Sequence, residues 1–238
     1  MKEMFKSIGI FVVISFVSIF FGIDAQASPI AHLDWVNEVG VDGQSGRVQI
    51  GAYDTTVQAG IYTVDLNFEA GFDAYDGLYY GYCIEDEPSS SNSNYDFYVA
   101  EGSFDRYEAA AYLFNQYGSS VSTQAQKAGL QLAIWEAVLD YQNYNLAQGQ
   151  GNFYVYIGHF ADALPAATTY LDSLVSFNPA TFDASAYGLV SDDNPLNEGP
   201  TPDQDYIVRN PIPEPATMFL IGGGLFGLAL AGKRRKLV

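Results

Sequence analysis

The sequence is poor in cysteine and in basic residues, and both shortages restrict what the protein can do. It contains one cysteine, Cys83, and two histidines among 238 residues. One cysteine excludes an internal disulfide, and with only two distant histidines it also excludes a structural zinc site. Ten lysines and arginines stand against 28 acidic residues, which gives a net charge of −18. Nucleic acid is therefore excluded as a partner, because phosphate binding requires clustered cations.

The first 27 residues have the features of a secretory signal peptide, in the usual order. Lys2 and Lys6 supply the positive start, residues 8–21 form an apolar run, and a small-x-small site ends at Ala27. This order predicts export and cleavage between Ala27 and Ser28. The alternative, a first buried helix of the fold, does not account for the combination of charge, apolar length and cleavage site.

The C-terminal end carries a second targeting pattern. Residues 216–231 form a nearly uninterrupted apolar run, and the basic cluster at residues 233–236 follows it. A basic cluster stays on the cytoplasmic side of a membrane, so the pattern predicts a membrane segment with the body outside. Pro213, Glu214 and Pro215 stand directly before the apolar run. Hydropathy alone leaves an ordinary C-terminal membrane anchor as an alternative.

The three parts of this end, taken together over residues 211–238, resemble the PEP-CTERM sorting signal. The resemblance implies processing by an exosortase, an integral-membrane cysteine transpeptidase. The family occurs in Gram-negative bacteria that also make exopolysaccharide. We therefore expect a protein that is held in the inner membrane before processing and lies on the cell surface or in the extracellular matrix afterwards.

The body between the two signals, residues 28–215, is strongly acidic. It carries four basic residues against 26 acidic ones, a formal net charge of −22. Its length suffices for one domain with a sizeable core. The acidic turns at residues 73–77 and 192–194 could attract calcium, but neither has EF-hand spacing, and we interpret them as solvated turns. No cofactor is expected.

Hydrophobic periodicity predicts an α+β body: an antiparallel sandwich or barrel-like sheet with an inserted helical subdomain, beside the N-terminal signal peptide and the C-terminal sorting helix. Period-two patterns predict strands within residues 47–68, 78–84, 95–99, 153–157, 181–190 and 206–208. Helical spacing predicts helices over residues 105–117, 123–139 and 165–175. The expected main domain is residues 28–190, and residues 191–210 form a linker and the last strand.

Capping patterns fix the expected helix ends. Asp105 with Glu108, and Thr123 with Gln126, have the spacing of capping boxes. Gly118 stands where a C-terminal cap is expected. From Ala128 to Leu139 the second helix is apolar at nearly every position, and Gln131 is one of the two polar exceptions in that stretch. Since burial of an unpaired amide costs a few kcal/mol, we expect the Gln131 carboxamide to be buried with a hydrogen-bond partner.

Two short motifs around the cysteine and this glutamine resemble the paired motifs of the bacterial thioester domain. The first is Tyr82-Cys83-Ile84, and the second places Gln131 among apolar residues with Trp135 four positions later. The resemblance covers residues 78–140 and implies a thioester between Cys83 and Gln131. Many members have an aspartate after the aliphatic residue, where this chain has Glu85.

The resemblance implies covalent adhesion to an amine or hydroxyl on a surface or matrix target, by single-use chemistry rather than enzymatic turnover. A non-covalent matrix module, in which Cys83 and Gln131 are ordinary core residues and tyrosines bind exopolysaccharide, is the main alternative. A secreted hydrolase is a further alternative with less support from the sequence. Its best candidate pair, Cys83 with His159, lacks an identifiable third group to orient the histidine.

Overall fold

The structure, a computed structural model, describes residues 31–51, 53–84, 95–100, 104–191 and 205–211. The predicted signal peptide, the membrane segment 216–231, Glu85 and the acidic turn 192–194 lie outside these ranges. Within them, no helix has the length and apolar character needed to cross a membrane.

Seven strands and three α-helices make up the described part of the chain. The strands are β1 (Ala31–Ile50), β2 (Tyr53–Phe68), β3 (Gly77–Cys83), β4 (Tyr95–Val99), β5 (Phe153–Val155), β6 (Tyr187–Ser191) and β7 (Tyr206–Arg209). The helices are α1 (Asp105–Tyr117), α2 (Gln124–Leu139) and α3 (Leu164–Ser173). Short 3-10 turns cover Asp73–Tyr75, Leu174–Ser176 and Pro179–Thr181.

The strands form one antiparallel sheet that closes on itself. The order runs β2-β3-β7-β6-β4-β1, and β1 pairs with β2 again. Six strands therefore form a ring, and β5 adds to the far end of β1 through Val48–Ile50. A mixed fold with an antiparallel sheet and a few helices is confirmed.

Alternation of side chains along each strand separates two cores. In β2, Tyr62, Val64, Leu66 and Phe68 are buried, whereas the residues between them are partly exposed. The inner core receives side chains from all six strands of the ring, and its members include Leu33, Val64, Cys83, Phe97, Val190 and Tyr206. The outer core lies between the sheet and the helices, and its members include Tyr82, Leu113, Phe114, Ile134, Leu189 and Ile207.

Helix α2 is buried along most of its length because it contributes to both cores. Ala128, Leu132 and Trp135 belong to the inner core, and Leu130 and Ile134 belong to the outer core. This double burial explains why nearly every position from Ala128 to Leu139 is apolar. The Thr123–Gln126 capping box that begins α2 is present, as predicted.

Three local predictions are wrong. Phe104, not Asp105, caps α1, and it makes no side-chain cap bond. Residues 179–181 form a 3-10 turn, so the predicted strand 181–190 begins only at Tyr187. Strand β1 begins at Ala31, well before the predicted start at Arg47, because its N-terminal half pairs with the far end of β2 and with β4. Gly118 caps α1 as expected, with right-handed backbone angles.

Candidate functional site

The backbone of Cys83 lies at a break in the sheet. Strand β3 pairs with β7 through Cys83 opposite Tyr206, and the Ile84 N–H donates to the carbonyl of Asp205. Neighbouring residues of a strand direct their N–H and C=O groups to opposite edges, so those of Cys83 face the β2 side. Strand β2, however, pairs with β3 only as far as Gly81.

The Gln131 side chain lies beside Cys83, where β2 would continue if it paired with β3 beyond Gly81. The Cys83 N–H donates to Gln131 Oε1 at 3.0 Å, and Gln131 Nε2 donates to the Cys83 carbonyl at 2.7 Å. Both residues are 0% exposed. The carboxamide therefore substitutes for a peptide group of a neighbouring strand. The prediction that Gln131 is buried with a hydrogen-bond partner is confirmed.

Contacts on both sides of Gln131 fix helix α2 in this position. Two residues earlier, a Cβ on Gly129 would lie 2.8 Å from the Ala163 carbonyl, so α2 approaches α3 closely only because this residue is glycine. One turn later, Trp135 packs on Phe153 with ring centroids 5.8 Å apart. These contacts hold the carboxamide against the Cys83 backbone.

The residues on either side of Cys83 face away from it. Tyr82 and Ile84 belong to the outer core, and Cys83 belongs to the inner core. The Tyr82 ring meets the Phe114 ring edge to face at 5.1 Å. Trp135, the other predicted motif residue, shares the inner core with Cys83. The two outward aromatic and aliphatic side chains therefore anchor the strand on both sides of the thiol.

Three tyrosines, Tyr62, Tyr95 and Tyr206, share the inner core with the Cys83 side chain, and one of them bonds to an exposed carboxylate. The Tyr206 hydroxyl donates to Glu38 Oε2 at 3.3 Å, and its ring meets the Tyr62 ring edge to face at 5.6 Å. Burial raises the pKa of Tyr206, and the nearby Cys83, Glu38, Tyr62 and Tyr95 raise it further, in that order. The hydroxyl of Tyr206 therefore stays protonated at physiological pH.

This arrangement suits acyl chemistry at the Gln131 amide. The Cys83 N–H donates to the amide oxygen, which is where negative charge develops when a nucleophile adds to the amide carbon. The thiol belongs to the same residue as that donor, so sulfur and amide carbon are held in one neighbourhood. Full burial of both residues excludes bulk water from the junction.

The other candidate sites that fall within the described ranges are not assembled by the fold. His159 is exposed whereas Cys83 is fully buried, so the structure does not bring the hydrolase pair together. Asp76 accepts a hydrogen bond from the Phe68 N–H, as expected of a turn residue. Over the described ranges, no three histidine, cysteine or acidic side chains form a group able to hold a metal ion.

An open groove lies on the outside of β2 and β3. It has a volume of about 670 Å³, and the residues that line it include Leu78, Tyr80, Val121, Lys127 and Arg209. Leu78 is 61% exposed and Tyr80 is 67% exposed, which is unusual for large side chains on a strand. The groove therefore combines an apolar floor with two of the four basic residues of the body.

Sequence reasoning did not identify Tyr206 and Glu38 as neighbours of Cys83. Tyr206 lies in a predicted strand, but a pattern of alternation does not say which strand is its neighbour or in what register. Glu38 lies before the first predicted strand. Val36, Val39 and Val41 around it do not follow a strict period of two, so no local pattern pointed to it.

Comparison with known proteins identifies the C-terminal segment. Residues 211–236 match the PEP-CTERM protein-sorting motif, in agreement with the resemblance of Pro213-Glu214-Pro215 and the segments that follow. No curated protein and no solved structure matches the chain. The motif marks the protein as one that is exported, held at the membrane and processed by an exosortase.

Proposed function

We propose that this exosortase-sorted extracellular protein forms a thioester between Cys83 and Gln131 and uses it for covalent adhesion. The observation that carries the proposal is the pair of hydrogen bonds between the Gln131 carboxamide and the Cys83 backbone. The likeness of both sequence motifs to the thioester domain supports the same chemistry.

Thioester formation exchanges one acyl bond for another. The Cys83 sulfur adds to the Gln131 amide carbon, and the Cys83 N–H stabilises the resulting oxyanion. The carbon–nitrogen bond then breaks, the thiol proton ends on the departing nitrogen, and ammonia leaves. An amine or hydroxyl of the target later attacks the same carbon and displaces Cys83 as a thiol. Each molecule reacts once, so the protein is not a turnover enzyme.

Two features of the chain favour storage of a reactive acyl group. Both partners are fully buried, which protects a thioester from hydrolysis. The body has a single lysine, Lys127, and its ammonium forms an ion pair with Asp42. Other copies of the chain therefore offer few free amines, and a nucleophile on the target has little competition.

The intact mass of the purified chain tests this proposal. A thioester gives a mass one ammonia below the sequence value, and methylamine then adds its full mass, which leaves Gln131 as an N-methylamide and the chain one methylene above the sequence value. Cys83→Ala is the matched control, and it should show the sequence mass with or without methylamine. A wild-type mass equal to the sequence value and unchanged by methylamine would contradict the proposal.

The groove favours a second candidate, a non-covalent module that binds matrix polysaccharide. Exposed Tyr80 offers an aromatic face for a sugar ring, and Leu78 extends the apolar floor. Binding of soluble exopolysaccharide fractions should then weaken at least tenfold in Tyr80→Ala and remain unchanged in Cys83→Ala. Tyr53→Ala, which removes another exposed tyrosine, serves as the control. Equal binding by Tyr80→Ala and wild type would remove this candidate.

A further inference from the structure

Cys83 on β3 and Tyr206 on β7 lie directly opposite each other on neighbouring strands. The register pairs them, and the Ile84–Asp205 hydrogen bond beside them makes theirs a pair without backbone bonds between them. Side chains of such a pair approach more closely than those of the hydrogen-bonded pairs on either side. Both side chains are buried in the inner core. The Tyr206 phenol is therefore a neighbour of the Cys83 thiol.

Glu38 connects this buried pair with the surface. It lies opposite Val64 in the β1–β2 pairing and so shares the face of a residue that is 0% exposed. Glu38 itself is exposed, yet its Oε2 accepts the hydrogen bond of the Tyr206 hydroxyl at 3.3 Å. A path of polar groups thus runs from the inner core to the rim of the ring.

In the described part of the chain, four titratable groups from four strands lie near Tyr206. These are Cys83 from β3, Glu38 from β1, Tyr62 from β2 and Tyr95 from β4. Cys83 perturbs Tyr206 more than Glu38 does, which agrees with a thiol close to the hydroxyl. The Tyr62 hydroxyl is directed to the Gln58 carbonyl instead. Glu38 is thus the one carboxylate in this set.

We propose that Tyr206 and Glu38 form a proton relay that removes the Cys83 thiol proton during thioester formation. The relay depends on the proposed thioester. As sulfur adds to the Gln131 carbon, the thiol proton passes to the Tyr206 oxygen and the Tyr206 proton passes to the Glu38 carboxylate. When the carbon–nitrogen bond breaks, the Tyr206 hydroxyl gives its proton to the leaving amine and takes one back from Glu38, and the neutral amine departs. No other reactant is consumed, and both residues end in their starting state.

The charge state of Glu38 makes the relay dependent on pH. Partial burial of the carboxyl raises the pKa of Glu38, and the hydrogen bond from Tyr206 opposes that rise. The relay needs the carboxylate, so it fails as pH falls through this raised pKa. Formation should therefore slow with acidification at a higher pH than an ordinary glutamate would produce.

Re-formation of the thioester from the methylamine adduct measures this step directly. The full chain is reacted with methylamine, the amine is removed, and loss of methylamine from Gln131 is followed by intact mass between pH 4 and pH 8. Tyr206→Phe and Glu38→Gln should slow re-formation on the order of 10²-fold, the range of general-base effects. Glu38→Gln should also abolish the decline of the re-formation rate towards low pH, and Glu38→Asp should restore part of the wild-type rate.

Tyr187→Phe is the matched control. It removes a part-buried hydroxyl that donates to Asn115 Oδ1, far in sequence from Cys83 and in the outer core. It should re-form the thioester at the wild-type rate. Glu38→Gln changes an exposed side chain, so it tests the relay even if Tyr206→Phe folds poorly.

The outcomes separate the relay from the thioester itself. Wild type without any thioester overturns the proposed function, and the relay with it. If wild type forms the thioester, and Glu38→Gln and Tyr206→Phe re-form it at the wild-type rate and with the wild-type pH profile, the relay alone is overturned.

Discussion

The two faces of β3 around Cys83 differ in the side chains that they present. Tyr82 and Ile84 point into an outer core of aromatic and aliphatic side chains. Cys83, between them, points into an inner core that also holds Tyr206, whose hydroxyl donates to the exposed Glu38 carboxylate. Its backbone is bonded to the carboxamide of Gln131. One strand therefore serves stability on one face and holds a set of reactive polar groups on the other.

The two faces also differ in how two of their buried polar side chains are satisfied. Both functional atoms of the Gln131 carboxamide are bonded to Cys83. On the outer face, the buried Tyr82 hydroxyl has no hydrogen-bond partner in the described part of the chain. Substitutions on the two faces should therefore change stability for different reasons and by different amounts.

The largest effect is expected from removal of the Gln131 carboxamide. In a Cys83→Ala background, where no thioester can form, Gln131→Met leaves the N–H and C=O of residue 83 without their partners. Each orphaned group costs about 1–3 kcal/mol, so the free energy of unfolding should fall by about 2–6 kcal/mol. Urea unfolding measures it.

Leu130→Met in the same background is the control for this prediction. It changes the neighbouring outer-core position while keeping a similar volume, and should cost less than about 1.5 kcal/mol. Equal losses in the two variants would show that the carboxamide acts only as a space-filling group.

A second polar residue of α2 has a less complete set of partners. Glu136 is fully buried, and one of its oxygens accepts from the Asn145 N–H while Oε2 has no partner in the described ranges. Burial raises the pKa of Glu136 to about 8. The folded state therefore holds a proton that the unfolded state releases, and the free energy of unfolding should fall as pH rises from about 5 to about 8.

Glu136→Gln isolates this contribution, because glutamine imitates the protonated side chain. The slope attributable to Glu136 approaches about 1.4 kcal/mol per pH unit, the linkage value for one proton. Urea unfolding should show that the free energy of unfolding falls less between pH 5 and pH 8.5 in the variant than in wild type. Parallel losses would mean that Glu136 is ionised in the folded protein.

Two tyrosine substitutions should have effects of opposite sign. Tyr82→Phe removes a buried hydroxyl without a partner and should leave stability unchanged or raise it by about 1 kcal/mol. Tyr206→Phe removes the bond to Glu38 and should lower stability by about 1 kcal/mol. Thermal unfolding of both variants beside wild type measures the difference, and a loss in Tyr82→Phe would contradict the partner-based explanation.

The sequence predicted those features that depend on local pattern. Alternation in β2, the helical spacing of α1 and α2, and the Thr123 cap all follow from residues near one another in the chain. The burial of Gln131 also followed, since an amide within an apolar helix has few other places to lie.

Features that depend on distant pairing were not predictable. The early start of β1 requires β2 and β4 as partners, and the strand predicted from residue 181 was interrupted by a turn that Pro179 begins. The neighbours of Cys83 are set by register: Tyr206 faces it only because β7 enters the ring between β3 and β6. No residue near Cys83 in sequence carries that information.

The smallest effect is expected at Lys127, one helical turn before Gln131. Proximity along the helix suggests a role in the site, but its ammonium pairs with Asp42 of β1. The Lys127 side chain is 19% exposed and that of Asp42 is 55% exposed, and such pairs contribute about 1 kcal/mol or less. Lys127→Met should therefore lower stability by less than about 1 kcal/mol and leave the thioester content unchanged.

Asp42→Asn and the double variant complete a cycle that separates the ion pair from the packing of the lysine stem. If Lys127→Met alone reduced the thioester content measured by intact mass, while Asp42→Asn did not, the ammonium would belong to the site. If both reduced it equally, the pair would act by fixing α2 against β1. If neither variant reduces the thioester content, the one amine within a helical turn of Gln131 is dispensable. The reactive groups are then confined to the inner face of β3 and the face of α2 that meets it.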